Sequence, residues 1–174
     1  MTKVLWMLSF VGLTMIPAHA AELKPGLQGE YWDRVVEVEN FPILADTEKP
    51  DLTRIDAQIN WESVDGNVLG TPWVDFVYAR WNGKIRIPRD GKYRFFLNSD
   101  DGSRLWINGN VVVDNGGRHG MEEKSGEVEL KAGDHDLKAD FFEDQHGGGC
   151  LFSWSAPAID KQIVPTEVLF HEAK

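Results

Sequence analysis

Short runs of β-branched and aromatic residues, separated by Gly, Asn, Asp and Pro, restrict the fold of this chain more than any other feature. No segment of ten or more residues after the first twenty places its apolar side chains at helical spacing. Turn signals at such regular intervals, with no helices between the runs, favour strands that pair antiparallel with their neighbours. The sequence therefore predicts an all-β fold, an antiparallel two-sheet sandwich or barrel.

The predicted strands follow these runs. They are residues 27–32, 76–87, 92–97, 104–107, 111–114, 126–130, 135–142 and 151–154, and 55–61 also alternates within a less regular stretch. Residues 155–165 are predicted to form an irregular cover, and 166–169 a short final element in which Thr166 is a possible helix cap.

Two turns are clear in the sequence and one is ambiguous. Asn108-Gly109-Asn110 and Lys131-Ala132-Gly133-Asp134 each separate two predicted strands and predict hairpins. Asn82-Gly83 favours a hairpin turn by its composition, yet it also fits a glycine inside one long strand.

The first twenty residues predict an export signal. Lys3 supplies a positive charge, residues 4–16 are almost wholly apolar, and Ala18-His19-Ala20 is a small-x-small cleavage pattern. The apolar run is too short for a membrane-spanning helix. We therefore expect a secreted or periplasmic protein, with a single domain over residues 21–174.

Charge and cysteine content limit the partners and the redox chemistry. Without Lys3, residues 21–174 carry 17 basic and 28 acidic side chains, which gives a net charge of −11. Such a surface repels phosphate backbones, so nucleic acid is a poor partner. Cys150 is the single cysteine and excludes an internal disulfide. A small buried hydrophobe and a reactive thiol are its two possible roles.

Asp100 and Asp101 are adjacent acids in a turn rich in Gly and Ser, between two predicted strands. Carboxylate oxygens on a loop held by rigid strands suit a calcium ion. Asp and Gly are also good turn formers, so an ordinary hydrogen-bonded turn is the alternative.

Several motifs, in order, give the chain a resemblance to PA14 domains, the β-sandwich modules named after anthrax protective antigen. They are Gly26-Leu27-x-Gly29-Glu30-Tyr31, Ala79-Arg80-Trp81-x-Gly83-x-Ile85-x-Ile87-Pro88, Asp90-Gly91-x-Tyr93, Ser99-Asp100-Asp101-Gly102-Ser103-Arg104-Leu105-Trp106-Ile107, Val113-Asp114-Asn115, Leu130-x-Ala132-Gly133-x-His135 and Phe142-Glu143. The resemblance covers residues 27–169 and implies a PA14-type sandwich in which Asn82-Gly83 lies inside a long strand.

The resemblance also implies a metal site. In the adhesin branch of the family, paired aspartates joined by a cis peptide hold Ca²⁺, which chelates hydroxyls of a terminal sugar. Carried over, these ligands are Asp100 and Asp101. A later loop completes the shell in the adhesins, and here residues 143–149 take its place, with Asp144 and Gln145 as available oxygens. Its glycines, Gly147 and Gly148 among them, would leave backbone carbonyls free for an ion or a sugar.

The aromatic residues divide into expected core and expected ligand contacts. Trp81, Trp106 and Trp154 lie on predicted strands and are expected in the core. Trp32 and Trp73 lie at segment ends, where a ring could stack on a sugar, and His146 lies in the glycine-rich loop. This chain lacks the disulfides and the sugar-contacting insert of the yeast adhesins.

The functional hypotheses are two. The first is a secreted, lectin-like module that binds a glycan or cell-wall polysaccharide through Ca²⁺. The second is a structural or protein-interaction module that docks onto a secreted or cell-envelope partner. No nucleophile elbow, His-Glu-x-x-His motif or phosphate-binding glycine loop occurs in the sequence. The chain is therefore predicted to be non-enzymatic, with an accessory glycosidase domain as a minor third possibility.

Overall fold

The computed structural model describes residues 22–34, 40–45 and 47–173, so the predicted export signal lies outside the described residues. The strands are β1 Leu23–Pro25, β2 Leu27–Asp33, β3 Leu52–Asp56, β4 Asn60–Asp65, β5 Val77–Ile87, β6 Gly91–Asp100, β7 Ser103–Ile107, β8 Asn110–Asn115, β9 Glu122–Leu130, β10 Gly133–Glu143, β11 Gly147–Ala156, β12 Ile159–Ile163 and β13 Leu169–Glu172. Two 3-10 helices accompany them, Val68–Gly70 and Thr166–Val168. Within the described ranges, no helix has the length and apolar character required to cross a membrane.

The strands form two antiparallel sheets. The larger sheet has the order β1-β13-β5-β10-β7-β8, and β2 and β3 extend it from β5. The smaller sheet has the order β12-β11-β6-β9, with β4 paired to β11. The prediction of an all-β antiparallel sandwich is confirmed, and neither sheet closes into a barrel.

The first and last described strands are neighbours at one edge of the larger sheet. Leu23 of β1 is opposite Glu172 of β13, and the Ala173 N–H donates a hydrogen bond to the Glu22 carbonyl at 2.8 Å. The two ends of the described chain therefore leave the fold side by side.

The core lies between the two sheets, because alternate residues of each strand face inward. On β6 these are Tyr93, Phe95 and Leu97, all fully buried. The Phe95 ring stacks on Phe152 of β11 with 5.8 Å between centroids. Each such side chain contributes about 1.5–3 kcal/mol by its burial. This stacking joins the neighbouring strands β6 and β11, and the candidate site lies where β6 and β10 end and β11 begins.

One predicted turn and one predicted strand glycine take the expected form. Asn108 and Gly109 both have positive φ, 50° and 77°, as a two-residue type I′ turn between β7 and β8 requires. Asn82-Gly83 lies inside β5, as the resemblance implied. A side chain on Gly83 would begin 2.3 Å from the Phe170 carbonyl oxygen, so the close approach of β13 requires glycine there.

Other expectations were wrong. Residues 131–134 do not close a hairpin, because β9 pairs with β6 whereas β10 pairs with β5 and β7. This turn carries the chain from one sheet to the other. The predicted strand 55–61 is divided between β3 and β4, and the expected irregular cover contains β12. Thr166 does not cap a helix, since Pro165 holds that position without a side-chain hydrogen bond.

The predicted burial of single residues is confirmed with one exception. Trp81 and Trp154 are core residues, and Cys150 is buried at 1% exposure. Trp106 is only half-buried. It lies on the outer face of the larger sheet, because it alternates with the inward-facing Leu105 and Ile107.

Candidate functional site

Asp100 ends β6, and Asp101 begins the turn into β7. The peptide bond between them is cis, as the resemblance implied. Gly102 packs against β10: a side chain there would begin 2.4 Å from Cε1 of Phe142, and the Phe142 N–H donates to the Gly102 carbonyl at 2.9 Å. The turn is therefore fixed against the end of β10.

The Asp101 carboxylate joins two loops. It is 7% exposed, and its Oδ1 accepts a hydrogen bond from the His119 backbone N–H at 2.8 Å. Its Oδ2 accepts one from the Asp144 backbone N–H at 2.9 Å. Two hydrogen bonds of this kind hold a carboxylate in one orientation. Asp101 therefore fixes the 143–149 segment beside the turn, as the resemblance required.

Asp100 is half-buried and faces β4. Its Oδ2 accepts a hydrogen bond from the Ser63 hydroxyl at 3.1 Å. A side chain on Gly147 would begin 3.7 Å from both Asp100 Oδ2 and Asp65 Oδ1, so a third carboxylate lies nearby. Burial raises the pKa of Asp100, the Ser63 hydrogen bond lowers it, and the Asp101 charge raises it further. The carboxylate is thus kept among like charges with little solvent.

Glu143 is a buried acid of the candidate site that was not among the ligands expected from the sequence. It is fully buried at the end of β10, and neither carboxylate oxygen has a hydrogen-bond partner among the described residues. Burial raises its pKa to about 8, with repulsion from Asp75, Asp101 and Asp144 adding to the effect. The backbone N–H of Val77 lowers the pKa of Glu143, although its contact with the Glu143 carboxyl lacks the geometry of an ordinary hydrogen bond. A buried carboxylate destabilises the fold when it is ionised, unless a positive charge lies close to it.

A signal for Glu143 was present in the sequence. Alternation along β10 places Leu137, Ala139, Phe141 and Glu143 on the same face. The first three are core residues. An acid that continues a core-facing series is an unusual residue to bury, and it indicates a site at that end of the strand.

The predicted second-loop ligands take different positions. Asp144 is 1% exposed, and its Oδ2 lies 2.5 Å from Nη2 of Arg118. It therefore reaches the turn through its backbone N–H, while its carboxylate pairs with an arginine. Gln145 is exposed. Across the described ranges, no three His, Cys, Asp or Glu side chains are already arranged as a metal-binding group.

The glycines of this segment belong to β11 and do not form an open loop. Gly148 is buried, and a side chain there would begin 2.8 Å from Cγ of Glu143, so its contact with a ligand stays a prediction. Gly149 pairs with Asp100, and a side chain on it would clash with the Ser63 backbone at 2.4 Å. Gly147 is half-buried beside Asp100. Close packing of strands, more than free carbonyls, explains why glycine occupies these positions.

His146 and the two predicted stacking tryptophans differ in exposure. His146 is exposed with a φ of 80°, and its backbone N–H donates to Asp75 Oδ1 at 3.0 Å. Trp32 is 3% exposed and packs against Tyr78 and Phe142 in a small second cluster. Burial leaves it no free ring face, which contradicts its predicted contact with a sugar. Trp73 is half-buried against the main core, and its role stays a prediction.

Together these segments concentrate carboxylates at one end of the sandwich. Asp100, Asp101, Glu143 and Asp144 come from the turn and the β10 end, and Asp65 and Asp75 approach from β4 and the segment before β5. Hard oxygen donors suit Ca²⁺, which takes about six to eight oxygens. The Glu143 carboxyl has no hydrogen-bond partner among the described residues, and its raised pKa means that ionising it here is costly unless a cation lies close by. The donor types present therefore suit a divalent cation, although the described side chains are not already arranged around one.

Known proteins resemble this chain in sequence and in fold. The anti-sigma-I factor RsgI3 of Acetivibrio thermocellus is 27% identical over 146 residues, which are 83% of this chain and 21% of that protein. An anti-sigma factor domain-containing protein from Clostridium clariflavum is 29% identical, with a TM-score of 0.71, over 87% of this chain and 48% of that structure. The PA14 sugar-binding domain of an RTX adhesin shares the fold, with a TM-score of 0.72, 20% identity and coverage of 84% and 98%.

The chain thus spans about a fifth of the curated relative and about half of the solved anti-sigma factor structure. The PA14 domain model matches residues 23–167. This chain therefore belongs to the PA14 domain family.

Proposed function

We propose that this protein is a non-catalytic binding domain that recognises a glycan or cell-wall polysaccharide with the help of a calcium ion held beside Asp100 and Asp101. One observation carries the proposal: the fully buried Glu143 carboxylate has no hydrogen-bond partner among the described residues and lies among Asp75, Asp101 and Asp144. Without a cation, this arrangement costs stability, because like charges are buried together.

In this proposal Asp100 and Asp101 hold the ion, and Glu143, close to Asp101, would lose its proton when the ion binds and add a buried negative charge. The ion would offer its remaining coordination positions to water or to vicinal hydroxyls of a sugar. Gln145 and His146 are exposed at the rim, where they can contact such a ligand. A sugar-binding PA14 domain from an RTX adhesin and an epithelial adhesin domain solved in complex with a disaccharide are consistent with this ligand class.

The site has no arrangement that favours catalysis. Both oxygens of the Asp101 carboxylate accept backbone hydrogen bonds, which hold it in a structural position between two loops. Asp144 is paired with Arg118. A non-enzymatic role, a single domain over residues 21–174 and export by the leader sequence all remain part of the proposal.

Thermal unfolding tests the cation. After treatment with a chelator, addition of CaCl₂ at about 100 times Kd should stabilise the protein by about 2.7 kcal/mol. Asp101→Ala should abolish this response, whereas Asp160→Asn, an exposed aspartate on β12, should retain it. If the wild type shows no shift at millimolar calcium, the calcium proposal is wrong.

Glycan binding needs a separate measurement. A glycan array probed in CaCl₂ and again in EDTA should show signals that disappear with the chelator and with Asp101→Ala. Signals that survive both treatments would place sugar recognition away from the aspartate pair.

Docking onto a protein partner is the second candidate. It is favoured by the anti-sigma factor relatives, which carry a similar segment within longer chains. A stoichiometric protein partner recovered from the exported fraction, and retained in EDTA and free sugars, would support this alternative.

A further inference from the structure

A groove crosses the outer face of the larger sheet, where the neighbour of β5 changes from β13 to β2. β13 pairs with Ile85 and Lys84, and β2 pairs with residues 77–82. The cavity has a volume of about 700 Å³, within the range of about 300–1,000 Å³ typical of ligand sites. None of its lining residues belongs to the aspartate turn or to residues 143–149. It is a separate surface.

The charges that line the groove neutralise one another. The Lys84 ammonium lies 2.6 Å from Asp136 and 3.4 Å from Glu172. Lys138 is the second lysine of the lining, and Asp140 lies 4.0 Å from its Nζ. The lining itself therefore contains two lysines and two acids, and its formal net charge is zero. This balance favours a neutral ligand over a phosphate, a polyanion or a cation.

Polar groups with spare hydrogen-bonding capacity lie between these charges. The side-chain amides of Gln28 and Asn82 have only long contacts of 3.4 Å to Glu30. His171 Nδ1 lies 3.1 Å from the Gly26 carbonyl oxygen, so Nδ1 carries the proton and Nε2 is an acceptor in the neutral ring. The groove therefore offers both donors and acceptors, as a ligand with many hydroxyl groups requires.

Trp106 adds an aromatic surface to this polar lining. The ring is half-buried on the outer face of β7, and Lys138 Nζ lies 3.6 Å from its centroid. This contact orders the ring and the lysine together. An aromatic ring among amides and ammonium donors suits a ligand that has apolar C–H faces and hydroxyl edges.

We propose that this groove binds a neutral oligosaccharide and does so without a metal ion. Trp106 would contact one sugar ring face, and Gln28, Asn82 and Lys138 would hydrogen-bond hydroxyl groups. The inference is independent of the calcium proposal, since no residue is common to the two sites.

NMR titration of the purified protein in EDTA tests the groove. The probes are cellohexaose, xylohexaose, mannohexaose and chitohexaose, with an oligogalacturonide as the anionic comparison. At least one neutral probe should shift the Trp106 indole N–H and the Gln28 and Asn82 amide signals saturably. Trp106→Ala should weaken this binding about tenfold or more, equivalent to about 1.4 kcal/mol, and Gln28→Ala should weaken it with little effect on folding.

Phe96→Ala is the matched control. Phe96 is a half-buried aromatic on β6 of the smaller sheet, also covered by a lysine, with Lys161 Nζ 4.5 Å from its centroid. This variant should bind the probe like the wild type.

Three results would overturn the inference: no shift with any neutral probe, binding of the oligogalacturonide alone, or unchanged affinity in both Trp106→Ala and Gln28→Ala. Binding that disappears in EDTA or in Asp101→Ala would assign the sugar to the cation site instead. Loss of the calcium response with retained groove binding would refute only the calcium proposal.

Discussion

Replacement of Glu143 by glutamine should stabilise the metal-free protein and remove much of its pH dependence. In the fold, burial raises the pKa of Glu143 from the ordinary 4.5 to about 8. The native state therefore binds the proton more tightly than the unfolded state does. Stability from this group is complete below pH 4.5 and is lost progressively as the pH rises to 8.

The size of the effect follows from the two pKa values. One pKa unit corresponds to about 1.4 kcal/mol. Relative to low pH, the metal-free fold therefore loses about 3 kcal/mol of stability at pH 7, where Glu143 is still protonated in the fold, and about 5 kcal/mol above pH 8, where it ionises. For a chain of this length, 1 kcal/mol shifts Tm by about 2–4 °C. Glu143→Gln should therefore raise Tm by roughly 10 °C at pH 8 in EDTA, and by little at pH 5.

Thermal melts followed by circular dichroism between pH 5 and pH 9 measure this difference. Glu129→Gln, at an exposed position on β9, is the control and should follow the wild type. The same Glu143→Gln protein should show a smaller Tm increase on addition of CaCl₂. A raised pKa of Glu143 is contradicted if Glu143→Gln lowers Tm at pH 8, or if the Tm of this variant falls with rising pH as steeply as that of the wild type.

Two further predictions concern buried groups that are not proposed to hold the ion. Asp140 is 4% exposed and accepts hydrogen bonds from Tyr78 at 2.7 Å and Arg80 at 2.9 Å. Because Asp140→Ala leaves Arg80 unpaired, this variant should lose about 3–5 kcal/mol of unfolding free energy in chemical denaturation. A loss below 1 kcal/mol would contradict this prediction. Burial raises the pKa of the Cys150 thiol to about 12. A thiol reagent at pH 8 should therefore label Cys150 only after denaturation. Rapid labelling of the native protein would contradict this prediction, since it would show that the thiol is accessible.

Local sequence rules predicted elements wherever a few adjacent residues determine the structure. Asn108-Gly109 forms its turn because both residues tolerate positive φ. Residues 131–134 have similar composition, yet they join two sheets, since pairing depends on the distant strands β5, β6 and β7. No local pattern contains that information.

In the candidate site, too, local motifs identified some residues, and only the fold revealed the others. The adjacent aspartates were identified from a local motif, and the structure brings the 143–149 segment to Asp101. Asp65 and Asp75 are distant in sequence, and only the fold brings them close. The glycines were assigned to an open loop because composition alone does not distinguish a flexible loop from tightly packed strands. Glu143 was predictable from strand alternation, once the register of β10 was known.

The pairing of β1 with β13 has a consequence for how this fold can be combined with other domains. Paired strands lie about 4.8 Å apart, and Leu23 is opposite Glu172. A domain with adjacent ends can be inserted into a surface loop of a host protein without forcing the host chain apart. The same geometry permits a circular permutant in which a short linker joins residues 173 and 22 and new termini open at Asn108-Gly109.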